Sequence, residues 1–252
     1  MQIVRFKTEV NTSYGGLEGG VIVEYSGTPW SPFRRGRRRL PLKHAVLLAP
    51  ALPSKIIGVE LNHRDRAAEM GRLAPDEPRF FLKPTTTLVG PNDPIVYPPI
   101  SASVEYGAEL AVVIKRRCRN VPAERVREYV LGYTCLNDVT ARDLESKGLP
   151  LRAKGFDTFC PLGPCIATDL DPNAVAIETY VNGGLRQSSS TKELIFPVEE
   201  VVARIAQVMT LLPGDVIAMG TPAGVGPLAA GDRVEVRLEG IGSLRNTVVK
   251  LG

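Results

Sequence analysis

The chain has 252 residues, a formal net charge of +4 and 44% hydrophobic residues. This balance is typical of a folded globular protein and excludes a mainly disordered one. The longest apolar runs are too short to span a bilayer, and MQIVRFKTEV at the start lacks the apolar region of a signal peptide. We therefore expect a cytoplasmic protein with no membrane partner.

The counts of histidine and cysteine limit the chemistry that the chain can carry. Two histidines cannot build a three-histidine metal site, and no GxSxG elbow accompanies them. The four cysteines form no CxxC pair, so we expect reduced, mostly buried thiols. A metal site would have to consist of carboxylates, which favours a hard cation such as Mg²⁺ or Mn²⁺.

The first 50 residues alternate between strand-like segments and glycine turns, and predict a small N-terminal β-domain ahead of a larger domain over 51–252. Within this part, Thr28–Pro41 is rich in proline, arginine and glycine and predicts a loop. Its five arginines form a basic run, but no aromatic residues are interleaved with them. We interpret the run as solvated and expect no nucleic-acid partner.

The remainder of the chain consists mainly of short strand-like segments separated by proline and glycine. The segment IETYVNGGLRQS predicts a hairpin with an Asn-Gly turn. Helices are predicted at Pro122–Val130 and at Val198–Leu211, with a short one at Asp65–Met70. Strands and helices do not alternate, so we predict a mainly β (α+β) fold and not a doubly wound sheet.

Asp138 and Arg142 form the first candidate site. Asp138 follows the strand-like GYTCLN, where a carboxylate is a natural ligand for a hard metal, and Arg142 could hold a substrate carboxylate. The alternative is a helix-capping aspartate followed by a surface arginine.

Glu109 and Lys154 are the next candidates. In EYGAELAVVI, strand alternation puts Glu105, Gly107 and Glu109 on one face, with Glu109 at the edge of a core. A carboxylate there either binds a metal or pairs with an arginine. Lys154, close to two phenylalanines, could steady an enolate, although a lone lysine is more often a surface residue.

Eight segments in fixed order, from KIIGVELNHRDRAAEM to LEGIGSLRN, resemble the fumarylacetoacetate hydrolase family over residues 45–250. The most specific segments are NDVTARD, DTFCPLGP and GTPAGVGP. The resemblance implies rolled mixed β-sheets with few helices, a homodimer, and an Mg²⁺ (or Mn²⁺) ion held by two glutamates of an ExE strand and one aspartate.

The resemblance also implies roles for individual residues. Glu109 and Asp138 match the metal ligands, and Lys154 matches a catalytic position. The matching substrate-binding residues are Arg142, Thr221 and Gln187. Glu69 of the DRAAE segment and nearby His63 match the region from which the family draws its catalytic base.

Two departures from the family pattern change these expectations. Gly107 stands where the first glutamate of the ExE strand is expected, so the metal site has two carboxylates instead of three and Mg²⁺ binding should be weak. Arg66 stands where a DHxxE segment has its histidine, and an arginine cannot act as a base at physiological pH.

The family residues that this chain retains and those that it lacks predict different functions. The retained set favours an isomerase/decarboxylase-type enzyme for a dicarboxylic 2-oxo or 2-hydroxy-dienoic acid of aromatic-compound catabolism, similar to bacterial 2-hydroxyhepta-2,4-diene-1,7-dioate isomerases and 5-oxopent-3-ene-1,2,5-tricarboxylate decarboxylases. Gly107 and Arg66 favour a catalytically impaired member that serves as a structural partner of an active subunit. An acylpyruvate hydrolase is the third possibility, and Arg66 argues against it.

Overall fold

The computed structural model describes residues 1–145 and 150–250, and these residues form twenty strands and a few short helices. The strands of the first half are β1 (Gln2–Lys7), β2 (Thr12–Glu18), β3 (Val21–Ser26), β4 (Arg34–Pro41), β5 (Val46–Leu48), β6 (Ile56–Glu60), β7 (Arg79–Lys83), β8 (Leu88–Val89), β9 (Pro94–Val96), β10 (Val104–Glu105) and β11 (Ala108–Ile114). Those of the second half are β12 (Val130–Asn137), β13 (Thr140–Ala141), β14 (Cys160–Ala167), β15 (Ala176–Val181), β16 (Gly184–Ser190), β17 (Val216–Ala218), β18 (Pro227–Leu228), β19 (Arg233–Leu238) and β20 (Gly242–Val249).

Helices are few and short, as predicted for a mainly β fold. The α-helices are α1 (Arg64–Glu69), α2 (Arg142–Glu145), α3 (Pro150–Lys154) and α4 (Val198–Val208). Short 3₁₀ helices span Leu42–His44, Thr85–Thr87, Ala123–Tyr129 and Thr191–Glu193. The helix predicted at Pro122–Val130 is therefore a 3₁₀ helix, and α4 ends at Val208, earlier than the predicted Leu211, with Val208 exposed to solvent.

Three sheets make up the described part of the fold, and the two larger ones are mixed, in agreement with the prediction. The twelve-stranded sheet runs β4-β3-β2-β1-β14-β12-β11-β17-β6-β7, with β5 beside β1 and β8 beside β14. Strands β13, β10 and β18 form a small sheet, and β16, β15, β19, β20 and β9 form the third. Because β1 pairs with β14, the strands of residues 1–50 join the large sheet. The division into two domains stays a prediction.

The arginine-rich segment corrects the loop predicted over Thr28–Pro41. Arg34–Pro41 forms β4, an exposed edge strand that pairs with β3. Carboxylates of neighbouring strands compensate its charge, with Arg35 Nη1 2.6 Å from a Glu18 oxygen and Arg38 Nη1 3.2 Å from one of Glu24. Charge on an edge strand also discourages edge-to-edge aggregation.

The central strand β11 lies between β12 and β17 and is buried along its whole length. It places Glu109, one of the predicted site residues, in the core. Apolar side chains of α4 pack in the main core cluster together with this strand. All four cysteines are buried free thiols, as predicted. No helix in the described ranges is long and apolar enough to cross a membrane.

Candidate active site

A cavity of about 550 Å³ brings together five residues that were singled out in the sequence. Its wall includes Glu109, Asp138, Arg142, Lys154 and Thr221. These side chains come from β11, from the segments after β12 and β17, and from α2 and α3. A second cavity of about 650 Å³ lies against the five-stranded sheet and contains none of the predicted site residues. The first cavity is therefore the candidate active site.

Asp138 lies between two lysine ammonium groups. Its Oδ1 accepts a hydrogen bond of 2.6 Å from Lys83 Nζ, and its Oδ2 accepts one of 2.6 Å from Lys154 Nζ. Although burial raises it, the charges of Lys154 and Lys83 lower the pKa of Asp138 to about 2. Asp138 precedes the strand β13 and not a helix, so it is not a helix cap. Its carboxylate is an anion held between two cations.

Lys154 is the last residue of α3, and its ammonium is fixed on several sides. Besides the bond to Asp138, Nζ donates to Thr140 Oγ1 at 2.8 Å and lies 4.7 Å above the centre of the Phe81 ring. Burial lowers the pKa of Lys154, but the carboxylates of Asp138 and Glu145 hold it above its ordinary value. A fixed cation at the cavity wall is suited to stabilising negative charge on a substrate oxygen.

Lys83 was not identified as a site residue in the sequence. It ends β7, its side chain is fully buried, and Nζ also donates to the carbonyl oxygen of Val139 at 3.2 Å. The available signal was its position in FFLKP, where a lysine closes an apolar strand. A fully buried lysine requires a charged partner, and Asp138 provides it.

Glu109 is buried in β11, and its Oε2 accepts a hydrogen bond of 2.6 Å from the Gly220 backbone N–H. Burial, together with the nearby Asp138 carboxylate, raises the pKa of Glu109 from 4.5 to about 8. The Glu109 carboxyl therefore holds its proton to a much higher pH than Asp138 beside it. It can give or take a proton at the cavity wall.

This raised pKa predicts a pH-dependent effect of Glu109→Gln on stability. Between these two pKa values, the folded state keeps a proton on Glu109 that the unfolded state loses. The contribution of this proton to the free energy of unfolding is complete below about pH 4.5. It is lost as the pH rises towards 8, by up to about 1.4 kcal/mol per pH unit. Glutamine does not ionise, so the variant should gain stability relative to the parent over this range. Urea unfolding of both proteins at about pH 5, 6.5 and 8 measures it; a difference independent of pH would contradict the assignment.

Arg142 begins α2 and is half-buried at the cavity. Its Nε donates to Glu105 Oε2 at 2.7 Å, and its Nη1 is paired with Glu145. These two carboxylates hold the guanidinium in place at the cavity wall. Glu105 therefore serves as a partner of Arg142 and does not stand in for the carboxylate missing at Gly107.

The strand predicted for EYGAELAVVI is interrupted at Gly107, which corrects the expectation that Glu105 and Glu109 share one strand face. The N–H of Gly107 donates to the Asn137 side chain at 2.9 Å, and the carbonyl of Gly107 accepts from the Asp138 N–H at 2.8 Å. These bonds draw the chain out of the regular ladder between β10 and β11.

Thr221 lines the cavity, whereas Gln187 supports it from behind. The Gln187 amide donates to Thr221 Oγ1 and to the Pro222 carbonyl, both at 2.9 Å. Its oxygen accepts from the Ala108 N–H at 3.1 Å and from Thr179. Gln187 is buried with its amide fully engaged, so the structure places it as a positioning residue for Thr221 and not at the cavity wall.

The two predicted base residues, Glu69 and His63, do not lie along the cavity. One Glu69 oxygen is paired with Arg66, and the other accepts from the Gly224 N–H at 2.9 Å. His63 is fully buried; its Nδ1 lies 3.3 Å from an Asp65 oxygen without hydrogen-bond alignment, and both ring nitrogens lack a partner among the described residues. Arg66 itself lines the cavity.

The donors at this site do not fit the three-carboxylate metal centre that the resemblance implies. Within residues 1–145 and 150–250, no cluster of three or more acidic, histidine or cysteine side chains could hold a metal ion. Of the two expected ligands, Asp138 has an ammonium on each oxygen, and Glu109 is bound to Gly220. Gly107 supplies no side-chain donor.

Comparison with known proteins places these observations in a family. The model for the fumarylacetoacetate (FAA) hydrolase C-terminal domain matches residues 55–249, and the Rv2993c-like N-terminal model matches residues 1–50. The solved 5-carboxymethyl-2-hydroxymuconate delta-isomerase of Mycobacterium smegmatis is 46% identical, with a TM-score of 0.94 and full coverage of both chains.

Two further relatives differ in their chemistry. The mitochondrial oxaloacetate tautomerase Fahd2a of Rattus norvegicus is 39% identical over 83% of this chain and 71% of its own length. Maleylpyruvate hydrolase of Sphingobium, solved with manganese(II) and pyruvate, is 31% identical over the full length of both chains, with a TM-score of 0.83. The family thus includes isomerases and hydrolases, some of which bind a divalent metal. By its sequence and its fold, this chain belongs to the fumarylacetoacetate hydrolase family.

Proposed function

We propose that the chain isomerises a dicarboxylic 2-oxo or 2-hydroxy-dienoic acid by moving a proton between carbon and oxygen through an enol. The observation that carries this proposal is the ammonium of Lys154, fixed at the cavity wall by Asp138 and Thr140. A cation at this place stabilises the enolate oxygen that forms in keto–enol or dienol isomerisation. Oxaloacetate and 2-hydroxyhepta-2,4-diene-1,7-dioate are the candidate substrates.

Other residues of the cavity wall would bind the substrate and transfer the proton. Arg142, held by Glu105 and Glu145, lies where it can bind a substrate carboxylate, and Arg66 adds a second guanidinium for the other carboxylate. Thr221, fixed by Gln187, offers a hydroxyl to the substrate. Glu109, whose pKa is raised by burial, is the candidate for moving the proton. Decarboxylation passes through the same kind of enolate and is compatible with these roles.

The surroundings of Glu69 argue against an acylpyruvate hydrolase. Hydrolysis needs a base that faces a water molecule beside the substrate. Glu69 is held by Arg66 and the Gly224 N–H and does not line the cavity, and His63 is buried beside Asp65 instead of facing the cavity. Neither residue is placed to activate water.

A second candidate function is that of a catalytically weak subunit, and it rests on Gly107. The glycine removes one donor from the expected metal site, as a subunit retained for assembly would tolerate. For the assembly itself we propose a homodimer, since closed symmetric pairs are the commonest oligomers. Sedimentation that shows only a 27.3 kDa species would contradict the dimer.

Three activity assays decide between these functions. With purified protein, we expect accelerated keto–enol conversion of oxaloacetate or isomerisation of 2-hydroxyhepta-2,4-diene-1,7-dioate, followed by ultraviolet absorbance, and no hydrolysis of an acylpyruvate. Glu69→Gln should leave the isomerase activity within about threefold, because that carboxylate does not line the cavity. Hydrolysis without isomerisation would overturn the proposal, and no activity in any assay would favour the subunit role.

A further inference from the structure

We propose that this site works without a resident divalent cation, and that Asp138, anchored by Lys83, serves to position the Lys154 ammonium as the charge that faces the substrate. The inference rests on the proposed isomerase function and extends it. It assigns Asp138 and Lys83 as positioning residues, with Lys154 alone in contact with the reacting oxygen. No function has been derived for Lys83 from the sequence.

The contacts of Asp138 are the first argument. Both carboxylate oxygens accept bonds of 2.6 Å from ammonium groups, one from Lys83 and one from Lys154. The Lys83 side chain is fully buried, and its second bond to the Val139 carbonyl ties it to the backbone. A metal ion that took Asp138 as ligand would have to share these two oxygens with the ammonium groups or displace one of them, and the fully buried Lys83 ammonium has no solvent to move into.

The charge of the pocket is the second argument. Even with Glu109 ionised, its charge and that of Asp138 are balanced by Lys83 and Lys154. In the absence of substrate, a divalent cation would add two positive charges that no side chain of this cluster compensates, and such charges are costly away from water. The other acidic side chains at the wall are already paired, Glu145 with Arg142 and Glu60 with Arg72.

The space beside Gly107 is the third argument, because it shows that the glycine is not imposed by the backbone. Its φ lies outside the left-handed region, so a side chain is conformationally allowed. A Cβ atom there would lie 3.4 Å from the Thr221 side chain, an ordinary contact, and 3.2 Å from the Asp138 carbonyl oxygen, which would have to yield by a few tenths of an ångström. Backbone conformation therefore does not explain why this chain has a glycine and no third carboxylate at this position.

The test combines metal binding with activity. Protein freed of metal by chelation is titrated with Mn²⁺ under electron paramagnetic resonance, alone and with oxalate as an unreactive mimic of an enolised 2-oxo acid. We expect no saturable Mn²⁺ site tighter than about 1 mM in either titration, and isomerase activity that stays within about twofold in EDTA. Stoichiometric binding at micromolar Mn²⁺, with or without oxalate, or activity lost in EDTA and restored by Mg²⁺, would overturn the proposal.

The variants Gly107→Glu and Gly107→Gln test whether a third carboxylate creates a metal site, with glutamine as the uncharged control. The two side chains have the same size, but only glutamate adds a carboxylate beside Glu109 and Asp138. We expect Gly107→Glu to bind Mn²⁺ at least tenfold more tightly than the parent and Gly107→Gln to behave like the parent. If glutamate brings no gain, the missing donor at Gly107 is not the reason for weak binding; the argument from Gly107 then fails, and exclusion of the metal rests on the ammonium groups at Asp138.

The failure of this inference can be told apart from failure of the proposed function. If no isomerase activity is found, the function is wrong, but the Mn²⁺ titrations still decide whether the site holds a metal. If Gly107→Glu does not fold, as judged by circular dichroism, the parent titrations alone decide. The positioning role of Lys83 is tested by Lys83→Met, which should lower kcat with little change in KM, and by partial recovery in Lys83→Arg.

Discussion

Lys154→Met should lower kcat by about 100-fold or more and change KM by less than about fivefold, as expected when a donor acts mainly on the charge that develops in the transition state. The variant keeps a side chain of similar length above the Phe81 ring but loses the ammonium and its bonds to Asp138 and Thr140. Steady-state kinetics with the accepted dicarboxylic acid measures both parameters.

Two further variants support the interpretation of this result. Lys115 is exposed to solvent, so Lys115→Met should leave both parameters unchanged. Lys154→Arg keeps the positive charge but not the compact geometry and should recover part of kcat. An increase in KM with kcat unaltered would make Lys154 a substrate anchor and would remove the enolate role from the proposed function.

The residues of the cavity wall show how much of the candidate site could be predicted from the sequence. Asp138, Lys154 and Arg142 lie within 17 residues of one another in segments with specific patterns, so the resemblance could identify them together. The structure brings them to one cavity with Glu109 and Thr221, which come from distant segments. Their individual roles stay predictions, because side-chain placement alone does not show what each one does in the reaction.

Lys83 and Gln187 show where sequence reasoning was incomplete. The partner of Lys83 is 55 residues away, and a lysine at the end of a strand gives no sign that its side chain is fully buried. Gln187 was predicted to bind substrate because it lies in a segment that resembles the family. Its four hydrogen bonds to neighbouring groups are tertiary contacts, and no local pattern shows that they exhaust its amide.

The fold shows a similar division. Alternating and buried apolar patterns predicted the mainly β class correctly, because strand pairing follows that periodicity. The break at Gly107 was missed, since it depends on the Asn137 side chain of a neighbouring segment. The arginine-rich β4 was taken as a loop because its stabilising partners, Glu18 and Glu24, lie on other strands. Contacts between elements, and not local propensity, decide both cases.

Asp138→Ala should lower the free energy of unfolding by about 3–5 kcal/mol, the range found when one partner of a buried ion pair is removed. The substitution leaves the ammonium groups of Lys83 and Lys154 close together in the core without their shared counter-charge. Urea unfolding at neutral pH measures the loss, and Glu77→Ala, at an exposed acidic position, serves as the matched control with an expected change within about 0.5 kcal/mol.

A double-mutant cycle separates the charge effect from simple loss of packing. If repulsion between two unpaired ammonium groups causes the instability, Lys83→Met should destabilise the Asp138→Ala background much less than it destabilises the parent, or even stabilise it. The coupling between the two positions should then exceed about 1 kcal/mol. Additive effects, or an Asp138→Ala loss below about 1 kcal/mol, would mean that water or a bound cation reaches the site and screens the lysines. The site would then not be the closed ion cluster on which the positioning role of Asp138 depends.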